Sequence, residues 1–261
     1  MNHTERSLQI VLCIPGPWES SAELIPALIG ADSGYLYAGS VMMHIETGFA
    51  CRALLEEHDP AMAGAFAAAG HHWAGSEAMD RIAGHRGVVY LVARGEGSEQ
   101  VSRRLMQAAA ALLTAGGLGV KVESTGLAHD PQTWRELSGD ASPAALHRAF
   151  VVYVNAAADV YSCGMHNLGL RDAIVARAPG ADGAELLRVF TGYLATEAPA
   201  IEAGQTFSPD ADGPVYRILE DAGVDYGQAS LFNNPYGSWR LAPAERAKDG
   251  FVERMRRAWL H

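Results

Sequence analysis

Between residues 87 and 123 the hydrophobic period switches from two to about 3.6 and back, and that switch most restricts what this chain can fold into. Residues 87–93, Gly-Val-Val-Tyr-Leu-Val-Ala, are short, apolar and rich in β-branched side chains, which reads as a buried strand. Ser98 then opens a helix with Val101, Leu105, Ala108 and Leu112 on one stripe, and Gly116-Gly117 closes it. Residues 118–123 return as a strand, with Val120 and Val122 on one face and Lys121 and Glu123 on the other. Strand, helix, strand in that order makes a right-handed crossover if the two strands are parallel neighbours.

The N-terminal part follows a similar plan. Residues 8–14 read as a buried strand stopped by Pro15-Gly16-Pro17, and Ser20 and Glu23 have capping-box spacing ahead of a short helix ending near residue 29, with Pro26 as a break. Residues 34–45 form a second strand candidate, and Asp59-Pro60 starts an alanine-rich helix through Ala69. Each part ends in His-Asp-Pro, at His58 to Pro60 and at His129 to Pro131. This layout suggests two ferredoxin-like or β-α-β pseudo-repeats, residues 7–70 and 86–140. The competing reading is that Asp-Pro is simply a good helix start.

Further along, the reading is a loop at residues 138–143 and a strand at 149–155. Asp182 and Glu185 then cap a helix carrying Leu186, Phe190, Tyr193 and Leu194. Residues 204–213 read as loop, 215–219 as a short strand, and 233–237 as a turn before Trp239. No low-complexity linker divides the 261 residues, which predicts one compact α+β domain, a mixed β-sheet with packed helices, whose region 149–240 carries the most distinctive motif.

A formal charge of −10 argues against a nucleic-acid partner, which needs a concentrated basic surface. The one locally basic stretch, Arg254, Arg256 and Arg257, shares a segment with Phe251, Met255 and Trp259 at four-residue spacing, and reads as an amphipathic helix with a solvated basic face. Cys13, Cys51 and Cys163 are too few and too scattered for a disulfide framework, which favours a reducing compartment. No apolar run reaches the roughly 20 residues of a membrane span. The expectation is a cytoplasmic protein without a membrane anchor.

Residues 161–172 (Tyr-Ser-Cys-Gly-Met-His-Asn-Leu-Gly-Leu-Arg-Asp) hold the densest chemistry. A catalytic thiol needs a lowered pKa and a base, and Cys163 has His166 three residues on, with Asp172 able to orient the imidazole if Gly164 and Gly169 bend the chain. The plain alternative makes Cys163 a small buried hydrophobe beside a strand. A second cluster is Lys121, Glu123 and His129 at a strand end: an ion-paired acid and base with a proton carrier, or a strand with one wet face. Among the ten histidines, His58, His71, His72 and His85 are densest, but no HxxxH or HxH occurs, so no metal site is predicted, and no spacing calls for a cofactor. Asn233, Asn234, Tyr236, Trp239 and Arg240 combine amides, aromatics and a cation in one turn, which serves either as a binding surface or as loop packing.

The run from Cys163 to Asp172, the helix of residues 185–194 and the turn at 202–207 together resemble the uncharacterised bacterial family called domain of unknown function 4261. Its pattern of Gly-Met, Leu-Gly, an acidic residue, a helix with a Tyr and a Gly-x-Thr turn is met here by Gly164-Met165, Leu168-Gly169, Asp172, Tyr193 and Gly204 to Thr206. The resemblance is best over the C-terminal third. It implies a bacterial intracellular protein, with some members near secretion or toxin-and-immunity genes, and says almost nothing of activity. Two functional expectations follow: a non-catalytic binding or accessory protein with a protein partner, of the immunity or secretion-associated kind, or a small hydrolase or transferase using the Cys/His or Lys/Glu/His cluster. A sensor using the same pocket without chemistry is a weaker third.

Overall fold

The computed structural model describes residues 9–70, 73, 75–95, 97–227 and 230–244. The expected C-terminal basic helix and the pair His71-His72 lie outside the described residues. The fold is α+β, built on two sheets.

Seven strands form the first sheet: β1 (Gln9–Gly16), β2 (Tyr35–Ala38), β3 (Val41–His44), β4 (Ala50–Glu57), β5 (Gly87–Arg94), β6 (Val120–Val122) and β7 (Leu127–His129). Their order is β2-β3-β4-β5-β1-β6-β7, with every pairing antiparallel. One face is covered by α1 (Ser21–Gly30), α4 (Glu99–Thr114), α5 (Pro131–Asp140) and α6 (Pro143–Phe150), around Leu12, Leu28, Leu105, Leu112, Trp134 and Phe150. The shorter α2 (Met62–Ala68) and α3 (Glu77–Ala83) cover part of the other face, around Cys13, Phe66, Trp73 and Val88.

The expected crossover takes a different form. β5 and β6 are parallel to each other but not adjacent, because β1 lies between them and pairs antiparallel with both. With α1 and α4, the strands β1, β4, β5 and β6 therefore make a split β-α-β-β-α-β sheet. β1 also runs through Pro15-Gly16 instead of stopping there. Pro15 lies opposite Val88 of β5, and its missing N–H faces the side where β6 has not yet begun.

α1 continues unbroken through Pro26, since burial of Leu24 and Leu28 outweighs the lost hydrogen bond. The expected capping box is absent there: Ser20 makes no side-chain cap, and the Glu23 carboxylate accepts instead from Glu19 N–H and Arg86. Residues 34–45 are a hairpin, not one strand. The expected loop at 138–143 is mostly helix, and the apolar run 149–155 is divided between the end of α6 and a new strand.

The second sheet holds β8 (Val152–Asn155), β9 (Asp159–Cys163), β10 (Asp172–Ala176), β11 (Thr206–Phe207), β12 (Val215–Asp221) and β13 (Ser238–Ala244), in the order β11-β12-β13-β10-β9-β8. Among the described residues, only β10 and β13 of this sheet pair in parallel. α7 (Gly183–Glu197) packs over it through Leu187, Phe190 and Leu194. Among the described residues no helix is long and apolar enough to cross a membrane.

Candidate functional site

The two chemistry-bearing runs meet where the sheets join, through residues other than the reactive ones. After β9, residues Met165–Leu168 form one 3-10 turn with Gly164 before it and Gly169 after it, both at positive φ. A Cβ at Gly164 would collide with the Phe150 carbonyl, and one at Gly169 with the Gly97 carbonyl, so both positions require glycine for space as well as for conformation. Within this turn Asn167 is fully buried and hydrogen-bonded throughout. Its Oδ1 accepts from Ser124 Oγ at 2.9 Å, its Nδ2 donates to Gly164 O at 2.9 Å, and its backbone O accepts from Ser102 Oγ at 2.6 Å. Met165 belongs to the core of the second sheet and Leu168 to that of the first, so the turn pins one core to the other.

Cys163 and Asp172 line a small cavity of about 20 Å³ with Tyr161, Ser162, Tyr226 and Asn234, room for a group no larger than one water molecule. Burial, and then the nearby Asp172 carboxylate, push the Cys163 thiol up to about 12, although the Tyr226 phenol partly offsets them. The thiol's backbone neighbours are Ser124 O at 3.7 Å and Phe232 O at 3.9 Å. His166 is not its base. The imidazole is fully buried, neither ring nitrogen has a hydrogen-bond partner among the described residues, and Nδ1 stands 4.0 Å from Asp172 Oδ2, beyond hydrogen-bond reach. Asp172 is instead a structural acceptor, taking hydrogen bonds from Ser162 Oγ at 3.0 Å, Met165 N–H at 3.2 Å and Asn234 Nδ2 at 2.7 Å. A protonated thiol with no base within reach among the described residues, beside a water-sized space, does not have the arrangement of an activated nucleophile.

The second cluster is divided by its own sheet. Lys121 Nζ and Glu123 Oε2 form an ion pair at 2.6 Å on the face that carries α2 and α3. Lys121 lies opposite Ala128 in the ladder, so His129, the next residue, points to the other face. There its Nε2 lies 3.0 Å from Ala149 O and its ring packs against Trp134. The proton-carrier role expected for His129 therefore fails geometrically. Lys121 and Glu123 have Cys13 and Tyr90 beside them instead, with Tyr90, Cys13 and Lys121 in one row across β5, β1 and β6.

The expected binding turn is tied down as well. Asn233 accepts from Tyr226 N–H and donates to Gly227 O, and Asn234 donates to both Leu170 O and Asp172. Trp239 is buried with the Arg171 guanidinium 4.3 Å from its ring centroid, and Arg240 bridges Asp221 at 2.7 Å and Asp159 at 3.0 Å. Tyr236 is half-buried. Sequence reasoning did not single out Ser124, Ser162 or Tyr226. Their partners lie 43, 10 and 63 residues away, and no local pattern marks such pairings.

Apolar side chains left in solvent lie elsewhere. On the β2–β3 hairpin the inward residues Tyr35, Tyr37 and Met42 are buried, whereas outward Leu36, Val41 and Met43 are 41–44% exposed. The ladder runs one step further through Ile45 N–H to Gly34 O at 2.9 Å, and Ile45 is 59% exposed. These residues share the sheet face of α2 and α3 but lie at its far edge, where β2 is the outermost strand.

No protein-family model matches the chain, and no curated protein and no solved structure matches it.

Proposed function

We propose that this chain is a non-catalytic protein-binding protein whose docking surface is the outward face of the β2–β3 hairpin. The observation that carries this reading is the contrast between the two regions. Thiol, imidazole, carboxamide and carboxylate are enclosed at the sheet junction, whereas Leu36, Val41, Met43 and Ile45 form a contiguous apolar strip open to solvent. Such a strip on an edge hairpin is the usual mark of an interaction surface. In the bacterial cytoplasm, the setting implied by the resemblance to domain of unknown function 4261, it serves an accessory or immunity role. The hydrolase or transferase alternative meets a thiol held protonated and a Lys-Glu pair without its histidine.

The test is hydrogen exchange on the purified chain, at low and high concentration and with and without co-expressed products of adjacent genes. Amide protection over residues 35–44 that disappears with Met43→Lys is the expected result. Protection over residues 221–238 instead, or ester or thioester turnover abolished by Cys163→Ala, would sink the proposal.

A further inference from the structure

We infer that the occupant of the hairpin face is a second copy of this chain, packed face to face about a two-fold axis; the inference rests on the reading of that face as a docking surface. Residues 34–45 contain no Asp, Glu, Lys or Arg, although the chain carries a formal charge of −10. Two acidic copies repel over most of their surfaces, and a charge-free strip is where they approach at least Coulombic cost.

The strip's two ends carry opposite charge. At the Gly34/Ile45 end stand Asp32 and Glu46, both exposed. At the other end Arg52 of β4 lies directly across the ladder from Val41, also exposed and on the same outward face. None of the three makes an ion pair among the described residues. A two-fold axis through the middle of the strip reverses it end for end. Arg52 of each copy then lies over the Asp32/Glu46 end of the other, while Leu36, Val41, Met43 and Ile45 interdigitate between sheets about 10 Å apart. One patch supplies both halves of this isologous contact, so closure at a dimer needs no second surface. The edge strand fits the same picture, because β2 carries neither the lysine nor the proline that solitary edges commonly use to discourage partners.

Sedimentation of the full chain up to about 100 μM tests this, in a range where micromolar dimers populate fully. The wild-type chain is expected at twice its monomer mass. Met43→Lys is expected to raise the dimer dissociation constant about tenfold or more, the usual scale for a central contact, with an unchanged circular dichroism spectrum. Arg52→Glu weakens the dimer, and Glu46→Arg in the same chain restores it, a reciprocity that a merely structural role for Arg52 would not give. A wild-type monomer throughout the range overturns the inference, as does a dimer indifferent to Met43→Lys. If the wild type is monomeric while another protein protects residues 35–44, the second copy is excluded but the docking surface stands; a monomer with no such protection removes both.

Discussion

Asn167 links three parts of the chain through one residue: the turn after β6 by Ser124, helix α4 by Ser102, and its own turn by Gly164. Replacing it with Ala leaves Ser124 Oγ buried without its acceptor and takes one of two donors from Gly164 O, which keeps the Asn167 backbone N–H; the loss costs about 1–3 kcal/mol, and a urea melt of Asn167→Ala should show it as a lower midpoint. The three cysteines carry a second residue-scale expectation. Burial raises Cys13 well above the usual thiol range and Cys51 to about 12, and burial with the Asp172 charge does the same for Cys163. None forms a thiolate near pH 8, so iodoacetamide should label the folded chain only as fast as it opens. Rapid labelling of Cys163 would restore it as a candidate nucleophile. At this scale the sequence marked the position of the run but not its purpose. Gly164 and Gly169 announced a tight turn, yet the partners of Asn167 and Asp172 come from distant segments that only the folded sheet brings together.

At the scale of elements, legibility depended on whether the signal was local. Ser98, Asp130 and Asp182 each cap the helix that follows through a hydrogen bond from a nearby backbone N–H, and each is visible as a helix start in the sequence. β4 was missed because Ala53-Leu-Leu-Glu-Glu57 favours helix, and its pairing with β3 and β5 overrides that preference. α6 was missed because its end runs directly into the apolar residues of β8. That helix carries a pH-dependent link to the second sheet. His147 Nε2 lies 2.9 Å from Thr191 Oγ1 of α7 and 3.0 Å from Tyr153 OH of β8, and burial lowers its pKa from 6.5 to about 4. In the unfolded chain this imidazole takes up its proton near pH 6.5, whereas the folded chain resists until about 4. Its contribution to stability is therefore complete above pH 6.5 and is lost as the pH falls towards 4, by about 2–3 kcal/mol. Urea midpoints at pH 7 and 4.5 should fall further for the wild type than for His147→Gln. Equal falls would remove this group as the cause.

For the whole molecule, the alternation of strand and helix periods pointed correctly to an α+β fold, while the strand order lay beyond local patterns. Placing β1 between β5 and β6 requires pairings more than 70 residues apart, and no periodicity encodes which strand lies beside which. Because the Met165–Leu168 turn contributes to both cores, neither sheet should melt alone. Calorimetry is expected to give one transition with equal calorimetric and van't Hoff enthalpies, and two resolved peaks would contradict the coupling.

The central place of β1 also sets an order of events in time. Its apolar residues are the first of the sheet to leave the ribosome, yet the strands on either side, β5 and β6, are among the later ones. At about 5–20 residues per second, some 4–14 s pass before the partner of Gly16, Gly87, has even been synthesised. Throughout that interval Ile10, Leu12 and Ile14 have no native ladder to join, so the newborn chain depends on a chaperone or on transient local burial just when the finished protein's most protected strand is most exposed.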